Sequence, residues 1–349
     1  MNPPAGPSHT PPPSAAAPPA PRPAPGPAAL DAEPRRRPLD TPVALYRLLR
    51  QFLVVIAIGL LVKLLMLTAV TVRDGHMAPC LLTGDRVLVR RGLAAPGLAL
   101  GLAPARGSVV VLAVPHRDRV RACLRVAAVP GDSVVIASGR MLSPSLGGVC
   151  ASAPDSVLPP EYSPRDFAAP LRLPRRGQTL ALEGLSQRDF LFAASMQAQQ
   201  DPGGTYDVKA DLLVDGIPSN EYIISNFLLY AGAFGSIPDS LDYDWFFWDR
   251  LRDNLRYTLE NRRVRLQWGL YRNGRPVATV KVRRAFVFAL ADDWTGGCDS
   301  RYFGPVCVSR IAGRVSRVLW SAGPEQGGRA RIRPGRTWGA VRCDPDAQR

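Results

Sequence analysis

Residues 74–91 read DGHMAPCLLTGDRVLVRR, and two kinds of sequence meet in them. The first part carries Met77, Pro79, Leu81 and the pair Gly84-Asp85; the second is the β-rich run Arg86 to Arg91. Alternating apolar residues entered from a Gly-Asp pair are a strand signal. The stretch lies just past the only membrane-length apolar run in the chain, so it opens the folded part of the protein.

Upstream, Phe52 to Val72 (FLVVIAIGLLVKLLMLTAVTV) is long enough to cross a bilayer as one helix, interrupted only by Lys63. An ammonium at a helix centre costs about 2.5–3.5 kcal/mol on insertion scales, which the neighbouring leucines offset and snorkelling relieves. A cleaved signal peptide fits less well. The run starts some way into the chain, exceeds an h-region, and lacks a small-residue cleavage site before Arg73. Arg35, Arg36, Arg37, Arg47 and Arg50 crowd its N-terminal side, which predicts that the tail stays in the cytoplasm and everything after Arg73 is extracytoplasmic. Residues 1–42 are Pro/Ala low complexity and read as a disordered tail. The expected organisation is therefore a tail over 1–42, a transmembrane anchor over 43–72 and one domain over 73–345.

Downstream the periodicity is that of strands: Ser108 to Val114, Val120 to Val129, Ser133 to Ala137, Val264 to Tyr271, Val277 to Leu290 and Ile311 to Trp320. Pro130-Gly131-Asp132 marks a turn, and Asn273-Gly274 between alternating runs marks a hairpin. The exception is Leu241 to Glu260, where Trp245, Trp248, Leu251 and Leu255 recur at helical spacing. An amphipathic helix is expected there, inside an insertion over about 150–262. It would pack on the β core or, as the second reading, lie at a membrane interface. The expected fold is mainly β with a helical insertion.

The chain has 349 residues and a net charge of +15, with 46% hydrophobic residues, enough for a sizeable core. Its cations are nearly all Arg and lie scattered, with no recognition helix or finger, so nucleic acid is not an expected partner. The lysines are Lys63, Lys209 and Lys281. Six cysteines, Cys80, Cys123, Cys150, Cys298, Cys307 and Cys343, form no C-x-x-C pair, so no metal and no cofactor is expected. Outside the cytoplasm disulfides are permitted, and Cys298 with Cys307 are close enough in sequence to close a loop; buried free thiols are the other reading.

The stretch over 74–91 resembles the nucleophile box of bacterial type I signal peptidases, which begins Ser-Gly-Ser-Met or close to it. Here the slots read Asp74-Gly75-His76-Met77. Further segments are similar to the same family. Pro104 to Leu112 resembles its P-x-x-G-D strand, with Ser108 in the Asp position. Ala122 to Val134 resembles the segment with the catalytic Lys, where Arg125 and Pro130-Gly131-Asp132 match and Leu124 stands in the Lys slot. Tyr271 to Trp320 resembles its hairpin and G-D-N-R…S-x-D-S-R box. Asp299, Ser300, Arg301 and Gly304 are kept, while Ala291-Asp292-Asp293-Trp294 replaces Gly-Asp-Asn-Arg and Gly297 replaces a Ser.

The resemblance implies a signal-peptidase-like β domain on one N-terminal transmembrane helix, in the bacterial cytoplasmic membrane. In that family a Ser is activated by a Lys kept neutral by burial, another Ser and a backbone N–H hold the oxyanion, and a third Ser orients the Lys. Carried over by position, nucleophile becomes His76, base Leu124, oxyanion donor Asp74 and orienting Ser Gly297. A carboxylate at Asp74 repels the charge that must develop, and Leu124 accepts no proton. Met77, Pro79, Cys80 and Leu81 are expected to line a substrate groove, and Gly84, Asp85, Arg125, Pro130, Gly131, Asp132, Asp299, Ser300, Arg301 and Gly304 to hold the frame. The expectation is a non-catalytic protein in signal peptide processing that binds exported preprotein or an active signal peptidase. The alternative is an endopeptidase with altered residues, for instance with a Cys80 thiolate activated by His76. His116 is read as solvent-exposed and His9 as part of the tail.

Overall fold

The computed structural model describes residues 41–92, 95–117, 119–144, 156–160, 163–226, 242–260, 262–323 and 332–341; the expected disordered tail lies outside them. The chain divides into two units, residues 1–58 and 59–349. Helix α1 spans Thr41–Met66, and Phe52, Leu53, Val55 and Ile58 on it are exposed.

The apolar run does not continue as one helix to Val72. It turns at Leu67 into strand β1, Leu67–Thr71, where β-branched Thr68, Val70 and Thr71 favour the pleated backbone and pair with β2, Asp85–Arg90. Among the described residues no helix is long and apolar enough to cross a membrane. Between the two strands lies the turn carrying Asp74 to Gly84, and β2 alternates buried Val87 and Val89 with outward residues.

After the short helix α2, Pro96–Ala99, come β3 (Val109–Ala113), β4 (Arg121–Ala128), β5 (Ser133–Ala137), β6 (Arg140–Ser143), β7 (Ala168–Arg172) and β8 (Thr179–Ala181). Helix α3 (Gln187–Gln200) precedes β9 (Tyr206–Val214) and β10 (Ile217–Pro218). Helix α4, Trp245–Thr258, leads to β11 (Val264–Arg272), β12 (Arg275–Pro276), β13 (Thr279–Lys281) and β14 (Phe286–Leu290). Helix α5 (Ser300–Phe303), β15 (Val306–Cys307) and β16 (Ile311–Ser321) follow. The expected run Val277 to Leu290 is thus two strands, parted at Arg283-Arg284.

The main sheet has the order β1-β2-β16-β3-β4-β14-β15 and is antiparallel throughout its ladders. Sheets β6-β5-β7, β13-β8 and β10-β9-β11-β12 accompany it. Asn273 and Gly274 both take positive φ, as a type I′ hairpin between β11 and β12 requires. Strand β9 pairs with β11 along its full length, from Val264↔Val214 to Arg272↔Tyr206.

Helix α4 begins where the Asp244 side chain accepts from the Phe247 N–H, and it buries Trp248, Leu251 and Leu255 against β9 and β11. Packing, not a membrane interface, occupies its apolar stripe. Helix α3 was not expected from the sequence. It starts at the Ser186 cap and buries Phe190, Leu191 and Ala194 in the same core as α4. Its C-terminal turn instead buries amides: Gln199 donates to the Pro305 carbonyl at 2.9 Å and accepts from the Cys307 N–H at 2.8 Å, completing the outer edge of β15.

Candidate functional site

The turn over Asp74 to Gly84 is held from below and behind. Gly84 takes φ +91, and a Cβ there would run into the Ala322 carbonyl, so only glycine fits. Asp85 is fully buried, accepting from the Leu82 N–H at 2.9 Å and from Arg336 at 2.7 Å. Met77 and Leu81 are fully buried in a cluster with Val72, Val87, Val109 and Cys123, and Pro79 and Cys80 are buried too. These four side chains therefore support the turn from inside instead of lining a groove.

Asp74 and His76 are half-exposed. His76 Nδ1 stands 3.8 Å from Asp74 Oδ2, too long for a hydrogen bond, and neither Nδ1 nor Asp74 Oδ1 has a partner among the described residues. The His76 carbonyl accepts from the Asp293 N–H at 2.9 Å, which ties the turn to the loop after β14.

Strand β4 sends successive residues to opposite faces. Cys123 faces the Met77 cluster on the side of Asp74, and Leu124 faces the cluster of Val110, Leu112, Val126, Ala289 and Ala291. Leu124 is fully buried and brings no base. Burial, with the Asp74 charge second, pushes the Cys123 thiol up to about 12, so this free cysteine is a protonated, inert thiol. Sequence reading missed Cys123; strand alternation alone indicates that it and its neighbour face opposite ways.

Gly297 lies beside the same apolar cluster. A Cβ on it would collide with the Ala291 methyl and press on the Asp293 carbonyl oxygen at 2.9 Å. Ala291 and Gly297 are therefore a complementary pair.

Arg125 and Asp292 pair in the interior, Nε to Oδ1 at 2.7 Å and Nη2 to Oδ2 at 2.6 Å. Burial raises the Asp292 carboxyl above its ordinary range, with the Arg125 hydrogen bond and charge opposing it. Arg125 Nη2 also donates to Cys80 Sγ at 3.0 Å. Cys80 is disulfide-bonded, and Cys123, Cys298 and Cys307 are free; Cys150 and Cys343 lie outside the described residues. The Cys298–Cys307 loop is thus not formed. A sulfur already in a disulfide supplies no thiolate, which removes the Cys80 nucleophile.

The box over 291–304 is organised by one fully buried ion pair. Arg301 donates Nε to Asp299 Oδ1 at 2.9 Å and Nη2 to Asp299 Oδ2 at 2.7 Å, with its guanidinium 4.3 Å over the Trp294 ring. Asp299 Oδ2 also accepts from the Ala291 N–H, and the Ser300 hydroxyl accepts from the Ala289 N–H. In the Pro130-Gly131-Asp132 turn the Asp132 side chain accepts from the Val129 N–H and from Arg106. Gly304 closes α5 against Phe192.

Residues 45–143, from α1 through β6, match the family model described as signal peptidase, peptidase S26. Over that span the chain is similar to the signal peptidase family. No curated relative matches it. The matched span covers the Asp74–Leu81 turn and β4, the two places where the sequence resemblance puts its nucleophile and base slots. What those slots hold is an imidazole beside a carboxylate at one and an aliphatic side chain at the other.

Three further expectations fall elsewhere. His116 is not solvent-exposed: it stacks on Tyr243 with ring centroids 3.6 Å apart, and its Nε2 lies 2.8 Å from the Ser195 hydroxyl. Lys281 on β13 and Lys209 on β9, where the Lys209 ammonium stands 4.9 Å over the Tyr271 ring, belong to other sheets than β4. Neither stands in for the missing base in the main sheet. Among the described residues no group of three or more His, Cys, Asp or Glu is placed to hold a metal ion.

Proposed function

We propose that this chain is a catalytically inert signal peptidase relative that holds extended segments of exported preproteins. The observation that carries the reading is the content of the matched slots: His76 beside Asp74, Leu124 buried in hydrocarbon, and Cys80 locked in a disulfide. No hydroxyl nucleophile and no neutral amine stand there. What remains is backbone. Strand β1 is the outermost strand of its sheet, and Arg121 to Leu124 of β4 pair with β3 but not with β14, whose ladder covers Arg125 to Ala128. Val70 of β1 and Cys123 of β4 flank one apolar cluster. An extended peptide laid between these edges gains main-chain hydrogen bonds without any chemistry.

The reading also takes the apolar run that begins at Phe52, rather than α1 alone, as the membrane attachment, with the Arg-rich N-terminal side in the cytoplasm and the β domain outside. The exposed apolar residues of α1 support it, and a disulfide at Cys80 fits an oxidising compartment. The test is photo-crosslinking from position 76 or 123 to a preprotein in membranes, alongside a cleavage assay. Crosslinks competed by a signal-peptide analogue, with the preprotein left intact, are the expected result. Crosslinks only to another membrane protein would replace the client with a partner such as an active signal peptidase.

A second reading, an endopeptidase with altered residues, is favoured by one feature: the Asp74 carboxylate beside the His76 imidazole. Cleavage that disappears in His76→Ala would establish it and overturn the first.

A further inference from the structure

Away from the Asp74–His76 turn, three arginines share the rim of one groove. Arg176 comes from the turn before β8, and Arg283 and Arg284 from the connection between β13 and β14. The groove encloses about 1180 Å³, including open space at its mouth, and among the described residues its lining contains no carboxylate. All three side chains are exposed, and no acid among the described residues pairs with any of them. The two segments are fixed to each other: the Gly177 N–H donates to the Val282 carbonyl and the Val282 N–H to the Gln178 carbonyl, each at 2.8 Å. The Arg283 N–H is in turn held by the Gln200 side chain at 2.8 Å. Three positive groups are therefore presented on a stiff backbone.

The floor of the groove is apolar, made by Leu98, Ala285 and Val308. Beside it, past α2, Leu100 is 76% and Leu102 58% exposed. Guanidinium groups match phosphate oxygens in charge and in fork geometry. Leucines projecting next to them suit the boundary just beneath a headgroup layer and have no role against a soluble anion. We propose that the groove of Arg176, Arg283 and Arg284 with the Leu100–Leu102 lip is a docking site for an anionic phospholipid headgroup. An acidic polypeptide would meet the same charges but leave the two leucines in water.

The experiment uses the full chain in neutral-detergent micelles, titrated calorimetrically with dihexanoyl phosphatidylglycerol, dihexanoyl phosphatidylcholine, inorganic phosphate and a short polyglutamate peptide. The anionic lipid should bind at least roughly tenfold more tightly than the other three. The variant R176Q/R283Q/R284Q should lose roughly tenfold or more of that affinity, on the scale of three surface arginine–lipid contacts. Leu100→Ala with Leu102→Ala should weaken the lipid and leave phosphate unchanged. A control variant, R119Q/R140Q/R265Q, removes the same charge elsewhere and should bind as the wild type does. Undiminished lipid binding by the groove variant, with an unchanged melting temperature, overturns the proposal. So does phosphate binding as tightly as the lipid, which makes the groove a free-anion site, or tighter binding of polyglutamate, which makes it a protein site. No signal peptide enters the titration, so its outcome is independent of the peptide-holding reading.

Discussion

The methyl group of Ala291 occupies the space that a side chain on Gly297 would need. Position 291 follows the last residue of β14 and position 297 precedes Asp299, whose carboxylate holds the Ala291 N–H at 3.0 Å. Neither backbone is free to give way. A serine at 297 therefore enters filled volume, and overpacking of this kind costs about 1–3 kcal/mol. Gly297→Ser should lower the melting temperature, and adding Ala291→Gly should recover most of the loss. A double-mutant cycle by thermal unfolding checks this: additive effects would mean the two positions do not share the space.

The same contact governs any attempt to restore catalysis. The combined change D74S/H76S/L124K/G297S should stay inactive or fold poorly, and the version that also carries Ala291→Gly should be the one to show any preprotein cleavage. Equal behaviour of the two would place the defect elsewhere than at the orienting slot.

Arg301 makes five hydrogen bonds from its guanidinium, to both Asp299 oxygens and to the Arg165, Trp294 and Gly297 carbonyls. Arg301→Lys keeps the charge and loses the planar fork and the stacking on Trp294. The loss expected is about 1–3 kcal/mol, as for buried hydrogen-bonding groups left unsatisfied. Unfolding of the variant by denaturant measures it. A change below about 1 kcal/mol would mean the guanidinium geometry contributes little.

Native alkylation separates the cysteines. Without reductant, iodoacetamide at mildly alkaline pH should leave Cys80 unmodified because it is in a disulfide, and Cys123 unmodified because burial and Asp74 push its thiol up to about 12. Labelling of Cys123 at a rate near that of a free thiol would show the β4 face to be open. Peptide mapping reads both sites at once.

Asp166 supplies the pH dependence. Burial raises its carboxyl, but hydrogen bonds from Arg165, the Leu158 N–H and Trp294, with the Arg165 charge, hold it below the ordinary value of about 3.9. A carboxyl lowered in the folded state binds fewer protons than in the unfolded one. Its contribution is therefore present above about pH 4 and is lost as pH falls through the native value. Asp166→Asn should lower stability near neutral pH and flatten the fall in melting temperature between about pH 5 and pH 3. An unaltered acid slope would assign the proton uptake to other carboxyls, Asp132 among them.

Much of the β frame was readable from local pattern. Ser133 to Ala137 and the Asn273-Gly274 hairpin carry their geometry in residue type, and Gly84-Asp85 announces a turn that only glycine can make. Helix α3 was not readable, because its buried face holds Ser195, Gln197, Gln199 and Gln200, whose burial depends on partners distant in sequence. The end of the apolar run is hidden for a related reason: nothing in Leu67 to Thr71 names the strand it pairs with. At the candidate site, the slots of His76, Leu124 and Gly297 came from motif spacing. The Ala291 methyl that fills the Gly297 space, and the disulfide that silences Cys80, exist only in three dimensions.

The Gln199 amide lies along β15 as a peptide unit of a neighbouring strand would, giving one hydrogen bond and taking one. The seven-stranded sheet consequently ends in a side chain at β15, while at the other end β1 has no further strand beside it among the described residues. Edges left open on both sides let sheets propagate from molecule to molecule. With β15 stopped, the sheet of one molecule is not extended from that end. A strand that docks at β1 therefore meets no second open edge at β15, because one glutamine side chain already fills the bonding positions there.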